Sequence, residues 1–143
     1  MIPDARSRLE DLLDREIELA QVLSAALAAE KTALTGTSPQ AVEEKAAEKT
    51  RVLEAFEKLE KERVALCANP ASAGIAATVI ERWRKLLELM AGCRNANEVN
   101  GHIIHVRQHQ IRQLIYIVRG GPSITYDPQG KTFAKALRAI ARA

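Results

Sequence analysis

Asn97-Glu98-Val99-Asn100-Gly101 lies in the middle of a long stretch, Ala76 to Val118, whose periodicity decides the fold. Stepping alternately by three and four residues from Ala76 meets Val79, Trp83, Leu86, Met90, Cys93, Asn97, Asn100, Ile104, Arg107, Ile111, Leu114 and Val118. That is an unbroken heptad seam. Asn-Gly usually marks a turn, and a glycine inside a helix costs about 1 kcal/mol relative to alanine. Because the seam keeps its phase on both sides of the dipeptide, one continuous helix is predicted through it. Two asparagines in a packed seam cost stability unless their amides find partners, so Asn97 and Asn100 are expected to face protein and to set the register of a neighbouring helix. Gly101 beside them leaves room for a backbone or a bulky side chain to approach.

The surrounding chain fits long helices packed side by side. Its 143 residues suffice for one domain, yet only Phe56, Trp83, Tyr116, Tyr126 and Phe133 are aromatic. Alanine, leucine, glutamate, lysine and arginine predominate, and strand signals are nearly absent. A first helix is predicted over 4–35, with Leu9, Leu12, Leu13, Ile17, Ala20, Leu23, Leu27 and Leu34 as its apolar stripe. Gly36 is expected to close it in the left-handed conformation. Ser38 then caps a second helix over 38–68, with Pro39 at its first position. So short a loop makes the pair antiparallel. The stripe of the second helix is interrupted by Lys49 and Arg63, which predicts a partly wet contact.

Asn69-Pro70 breaks the second helix, and the third is predicted over 72–119, stopped by Gly120-Gly121-Pro122. Residues 1–119 are thus expected to form a coiled-coil-like three-helix bundle: all-α, an antiparallel hairpin packed on a long third helix. Residues 120–143 are read as a flexible C-terminal segment carrying a short, mobile amphipathic helix over 132–142. In that segment Phe133, Leu137 and Ile140 fall at i, i+4 and i+7, with Lys135, Arg138 and Arg142 on the other side. Eleven residues are marginal as an isolated helix, so this one needs something to lie against. A partner-binding segment on a glycine joint is the reading that fits.

Charge is divided along the chain. Met1 to Gly74 carries 10 Lys and Arg against 14 Asp and Glu, whereas Ile75 to Ala143 carries 11 against 4. The C-terminal excess suits an acidic partner, but aromatic stacking groups and a DNA-binding helix-turn-helix are missing, and no nucleic acid is expected. The opening residues are acidic where a signal peptide is basic, and no apolar run approaches the ~18 residues of a membrane span. A cytosolic protein without stable membrane insertion follows as the expectation. His102, His105 and His109 share a helical face but spread over too much axial length to grip one ion easily, so no metal is expected. No nucleophile motif, phosphate-binding loop or carboxylate pair appears, so neither catalysis nor a cofactor is expected. Cys67 and Cys93 are read as reduced thiols.

The run Cys93-Arg94-x-x-Asn97-Glu98-x-Asn100-Gly101-x-Ile103-Ile104, followed after a long helix by Tyr126-Asp127-Pro128-Gln129-Gly130, resembles the FlgN family of flagellar export chaperones. The acidic leucine-rich hairpin, the long third helix and the short amphipathic tail match that family in order and length. The resemblance implies a non-enzymatic chaperone that holds hook–filament junction proteins in the cytosol, prevents premature assembly and delivers them to the type III export apparatus at the membrane. It also implies that Phe133, Leu137 and Ile140 contact the client's terminal helical segment and that Tyr126 docks at the export gate. A helical adaptor that homodimerises through the long helix is the alternative that the seam by itself supports.

Overall fold

The computed structural model describes residues 4–68 and 76–121. Three helices make up its regular structure: α1 Ala5–Leu34, α2 Pro39–Cys67 and α3 Ala77–Val118. The all-α class is as the sequence predicts, and α3 runs through Asn97–Gly101 without a break. The chain falls into two compact units, Met1–Asn100 and Gly101–Ala143.

Local chemistry sets the helix ends in the first unit. The Asp4 carboxylate accepts the Ser7 amide at 2.7 Å and caps α1, which holds that carboxyl below its usual range. The Ser38 hydroxyl accepts the Ala41 amide at 3.2 Å to cap α2, with Pro39 in its first turn where no amide is missed. The junction between them corrects one expectation. Gly36 does not take a positive φ; α1 instead ends at Thr35 in right-handed geometry. The Thr35 hydroxyl donates back to the Lys31 and Thr32 carbonyls, so the side chain helps satisfy the helix end that a left-handed glycine would otherwise close.

Paired side chains fix how the three helices run. Glu16 meets Arg63 and Glu30 meets Lys49, so position numbers rise on α1 as they fall on α2, and the hairpin is antiparallel. On α3, Arg82 meets Asp14, Cys93 meets Ala20 and Asn100 meets Leu27, so α3 runs parallel to α1. The core forms in two patches. Leu13, Ile17, Ala20, Phe56, Val79 and Leu86 make the larger, and Leu23, Leu27 and Cys93 the smaller. Nine residues of α1 are buried, but only Phe56 of α2 is. The most enclosed helix is therefore α1, rather than the long third helix from which the fold is legible in the sequence.

This asymmetry explains a second correction, to the phase of the α3 seam. Val79, Leu86, Cys93 and Asn100 are buried at strict seven-residue spacing, with Leu89 and Ala96 half-buried beside them. Trp83 and Asn97, the seam positions between, are exposed, and Met90 is half-buried. The buried meridian faces α1, whose stripe is almost wholly apolar. Trp83 and Asn97 lean towards α2, where Lys49 and Arg63 stand in place of leucines and keep that side of the bundle wet.

In the second unit the close of α3 is more specific than flexibility. Gly120 takes a φ of 81°, the Gly121 amide donates to the Tyr116 carbonyl at 3.0 Å, and the Gly120 amide donates to Ile117 at 3.1 Å. That is a Schellman closure, with Gly120 in the left-handed position. A Cβ on Gly121 would meet only the exposed Tyr116 ring, which can turn aside, so Gly120 is the glycine that geometry requires.

Candidate partner-binding site

Two polar layers cross the bundle of the first unit. In one, Arg63 Nε donates to both Glu16 oxygens at 3.0 and 2.9 Å, and the guanidinium lies over the Trp83 ring, 4.7 Å from its centroid. Glu16 is fully buried, and that burial pushes its carboxyl above the usual glutamate value of 4.5 despite the arginine. In the other layer, Asn100 Nδ2 donates to the Leu27 carbonyl at 3.0 Å and to Glu30 Oε1 at 2.9 Å. Lys49 Nζ completes it, 2.9 Å from Glu30 Oε2 and 3.5 Å from Asn97 Oδ1. No buried side-chain polar atom among the described residues lacks a partner. A satisfied layer of this kind penalises any slip of α3 along α1, because a shifted helix would leave the Glu30 carboxylate short of a donor.

Beside the second layer an open cleft of about 460 Å³ is floored by Leu23, Leu27 and Cys93 and walled by Leu53, Leu87, Met90 and Ala91. Lys49, Arg94 and Asn97 give it a polar, cationic end. The cleft exists because α2 presents little apolar surface there. It can take an apolar side chain from a partner. Cys93 contributes no chemistry to it: burial pushes its thiol pKa up, so it stays protonated and donates to the Ala20 carbonyl at 3.5 Å.

The residues singled out from sequence fall in three places. Asn100 is 1% exposed and sits at the centre of the second layer. Asn97 is exposed at its rim, held by Lys49. A Cβ on Gly101 would meet nothing within 4 Å, so no described part of the chain uses the room this glycine leaves. Tyr126, Phe133, Leu137 and Ile140 lie outside the described residues, as do the predicted tail helix and the start of the third helix at 72. His102, His105 and His109 are all exposed, with His109 Nε2 3.2 Å from Gln113 Nε2. Among the described residues no three His, Cys, Asp or Glu side chains gather as a metal set would.

Glu16, Glu30 and the cleft escape a reading that looks only for apolar stripes. A signal for the first two exists. Glu16 and Glu30 stand fourteen residues apart on the α1 seam, and Lys49 and Arg63 stand fourteen apart on α2, so an antiparallel hairpin brings each acid to a base.

Comparison with known families bears on the chain as a whole. The family model described as FlgN protein matches residues 1–133. The chain belongs to the FlgN family. The matched span takes in all three described helices, the asparagine layer, Tyr126 and Phe133; Leu137 and Ile140 lie beyond it. No curated protein and no solved structure matches the chain significantly. FlgN membership carries a general role as a flagellar export chaperone. None of the helices among the described residues is long and apolar enough to cross a membrane.

Proposed function

We propose that this protein is a cytosolic chaperone that binds hook–filament junction proteins, keeps them from assembling early and delivers them to the flagellar type III export apparatus. The observation that carries this is the FlgN match across residues 1–133. The work is binding rather than catalysis, with no cofactor or metal. A client whose terminal helices pair only after assembly exposes apolar faces beforehand, and a chaperone helix laid along them blocks that pairing. Phe133, Leu137 and Ile140 are the client contacts in this scheme, and Tyr126 is the docking residue at the export gate. Asn97 and Asn100 act indirectly, by fixing where α3 stands in the bundle.

Release has to be as easy as capture. A short amphipathic arm with three apolar anchors and basic neighbours suits this better than a large dry interface, since a few anchors carry most of the affinity and the rest adds little. The decisive experiment mixes a purified junction protein with the intact chain, and with a chain truncated after Arg119, and measures mass by light scattering. A one-to-one complex with the intact chain and none with the truncated one is expected. A salt-resistant homodimer indifferent to the junction protein would instead establish the adaptor.

A further inference from the structure

Apart from the half-buried Arg107, the seam of α3 beyond Asn100 is exposed, although its spacing is that of a packed helix. Ile104, Ile111, Ile115 and Val118 fall within an arc of roughly 60° at the turn of an α-helix. Ile111 is 57% and Val118 79% exposed, and Leu114 at the shoulder of the stripe is exposed too. The more enclosed residues of the same segment lie on a different side of the helix: Ile103 and Val106 are half-buried and Ile117 is buried. The second unit therefore carries a second apolar face about four turns long, and contiguous exposed apolar surface of this kind marks an interaction site.

The charges beside the stripe say what covers it. From Val99 to Gly121 the sequence holds three arginines and three histidines and no acidic residue. Arg112, Arg119 and His105 flank the stripe along one edge, and all three are exposed. A second copy using the same stripe would bring no acidic side chain to pair with these cations. We infer that the face formed by Ile104, Ile111, Ile115 and Val118 docks an acidic amphipathic helix of another protein, with leucine or isoleucine at heptad spacing and Asp or Glu on its flanks. Gly101 opens the near end of the same side, where the partner's backbone can approach closely. The inference does not rest on the assignment of Phe133, Leu137 and Ile140.

The test uses the full chain and two labelled synthetic helical peptides of identical apolar heptads, one flanked by glutamate and the other by lysine. Fluorescence anisotropy should show saturable binding of the acidic peptide, weakening as salt is added, and at least tenfold weaker binding of the basic one. Ile111→Ser with Ile115→Ser should weaken the acidic peptide at least tenfold, with helicity and melting unchanged. Arg112→Glu with Arg119→Glu should reverse the preference between the peptides; it decides the matter if the serine variant loses helicity. Equal affinity for both peptides, or undiminished binding by a folded serine variant, overturns the inference. So does a wild-type dimer in sedimentation that the serine variant dissociates, because the stripe would then belong to a second copy.

Discussion

Asn100→Leu tests whether a buried amide holds the bundle together or merely occupies a seam that any apolar residue would fill. The substitution removes two donated bonds, at 3.0 Å to the Leu27 carbonyl and at 2.9 Å to Glu30. The carbonyl is the lesser loss, since it belongs to a helix and has a backbone donor available. The bond to Glu30 matters more, because hydrogen bonds to charged groups contribute about 1.5–3 kcal/mol. Lys49 remains on the carboxylate, bonded to both of its oxygens at 3.1 and 2.9 Å, so Glu30 is weakened rather than orphaned. Against the loss stands the transfer of a leucine out of water, but into a site shaped for a flat amide. The net effect expected is a destabilisation of about 1–3 kcal/mol.

For a chain of this length 1 kcal/mol moves Tm by about 2–4 °C, so a fall of about 2–12 °C is expected with the protein still folded. Circular dichroism melts and urea titrations give the number. A cycle with Glu30→Leu isolates the coupling: the double variant should lose at least about 1 kcal/mol less than the two single variants together. Asn100→Leu at or above wild-type stability, or strict additivity in the cycle, would refute the claim that the amide and the carboxylate act as one unit.

Other expectations concern charge and binding. Because burial raises the Glu16 carboxyl above 4.5, the native state holds that proton more tightly than the unfolded chain, and stability falls as pH rises from 4.5 through the native value. The stability advantage of wild type over Glu16→Gln should therefore shrink between pH 4.5 and neutrality in urea titrations. A widening gap would mean that the attraction of Arg63 outweighs burial. Tyr126→Ala should leave binding of a purified client intact while lowering its secretion; equal loss of both would move the residue into the client site or the fold. Replacing Leu137 and Ile140 together by serine should weaken client binding at least tenfold, since each side chain contributes on the order of 1.5–3 kcal/mol when buried. Calorimetric titration beside a thermal melt reads this, and a melt lowered by many degrees with affinity kept would place the tail in the core.

What the sequence made legible is what is decided locally. The predicted helices 4–35 and 38–68 are within a residue of α1 and α2 at each end, because Asp4, Ser38 and Pro39 act on amides three or fewer residues away. The missed phase of α3 has the opposite origin. Heptad spacing marks two adjoining meridians, through Val79 and through Trp83, and which of them is buried depends on the partners. That choice was made by α2, whose Lys49 and Arg63 keep Trp83 and Asn97 near water. Gly36 keeps out of the left-handed region for a related reason, since Thr35 one residue earlier already satisfies the end of α1 through its hydroxyl.

The placement of Asn100 also bears on why a bundle with so few aromatic residues adopts a single register. Leucine and alanine seams are nearly equivalent under a slide of one heptad, which moves every knob into a similar hole. Glu16 and Glu30 on α1 repeat at two heptads and so permit α2 to slip by two heptads if only Lys49 and Arg63 are considered, because one acid–base pair would survive. Asn100 removes that freedom on the α3 side. It is the one buried amide among the described residues, and it reaches Glu30 and Leu27 together, so a slide of α3 by seven residues would carry it past the only carboxylate at that level. Lys49, bonded to Glu30 and close to Asn97, ties α2 to the same level. A single layer towards the α1–α2 turn thus aligns all three helices of the first unit. The cost is a wet α2 side, and the cleft between Leu53 and Leu87 is its consequence.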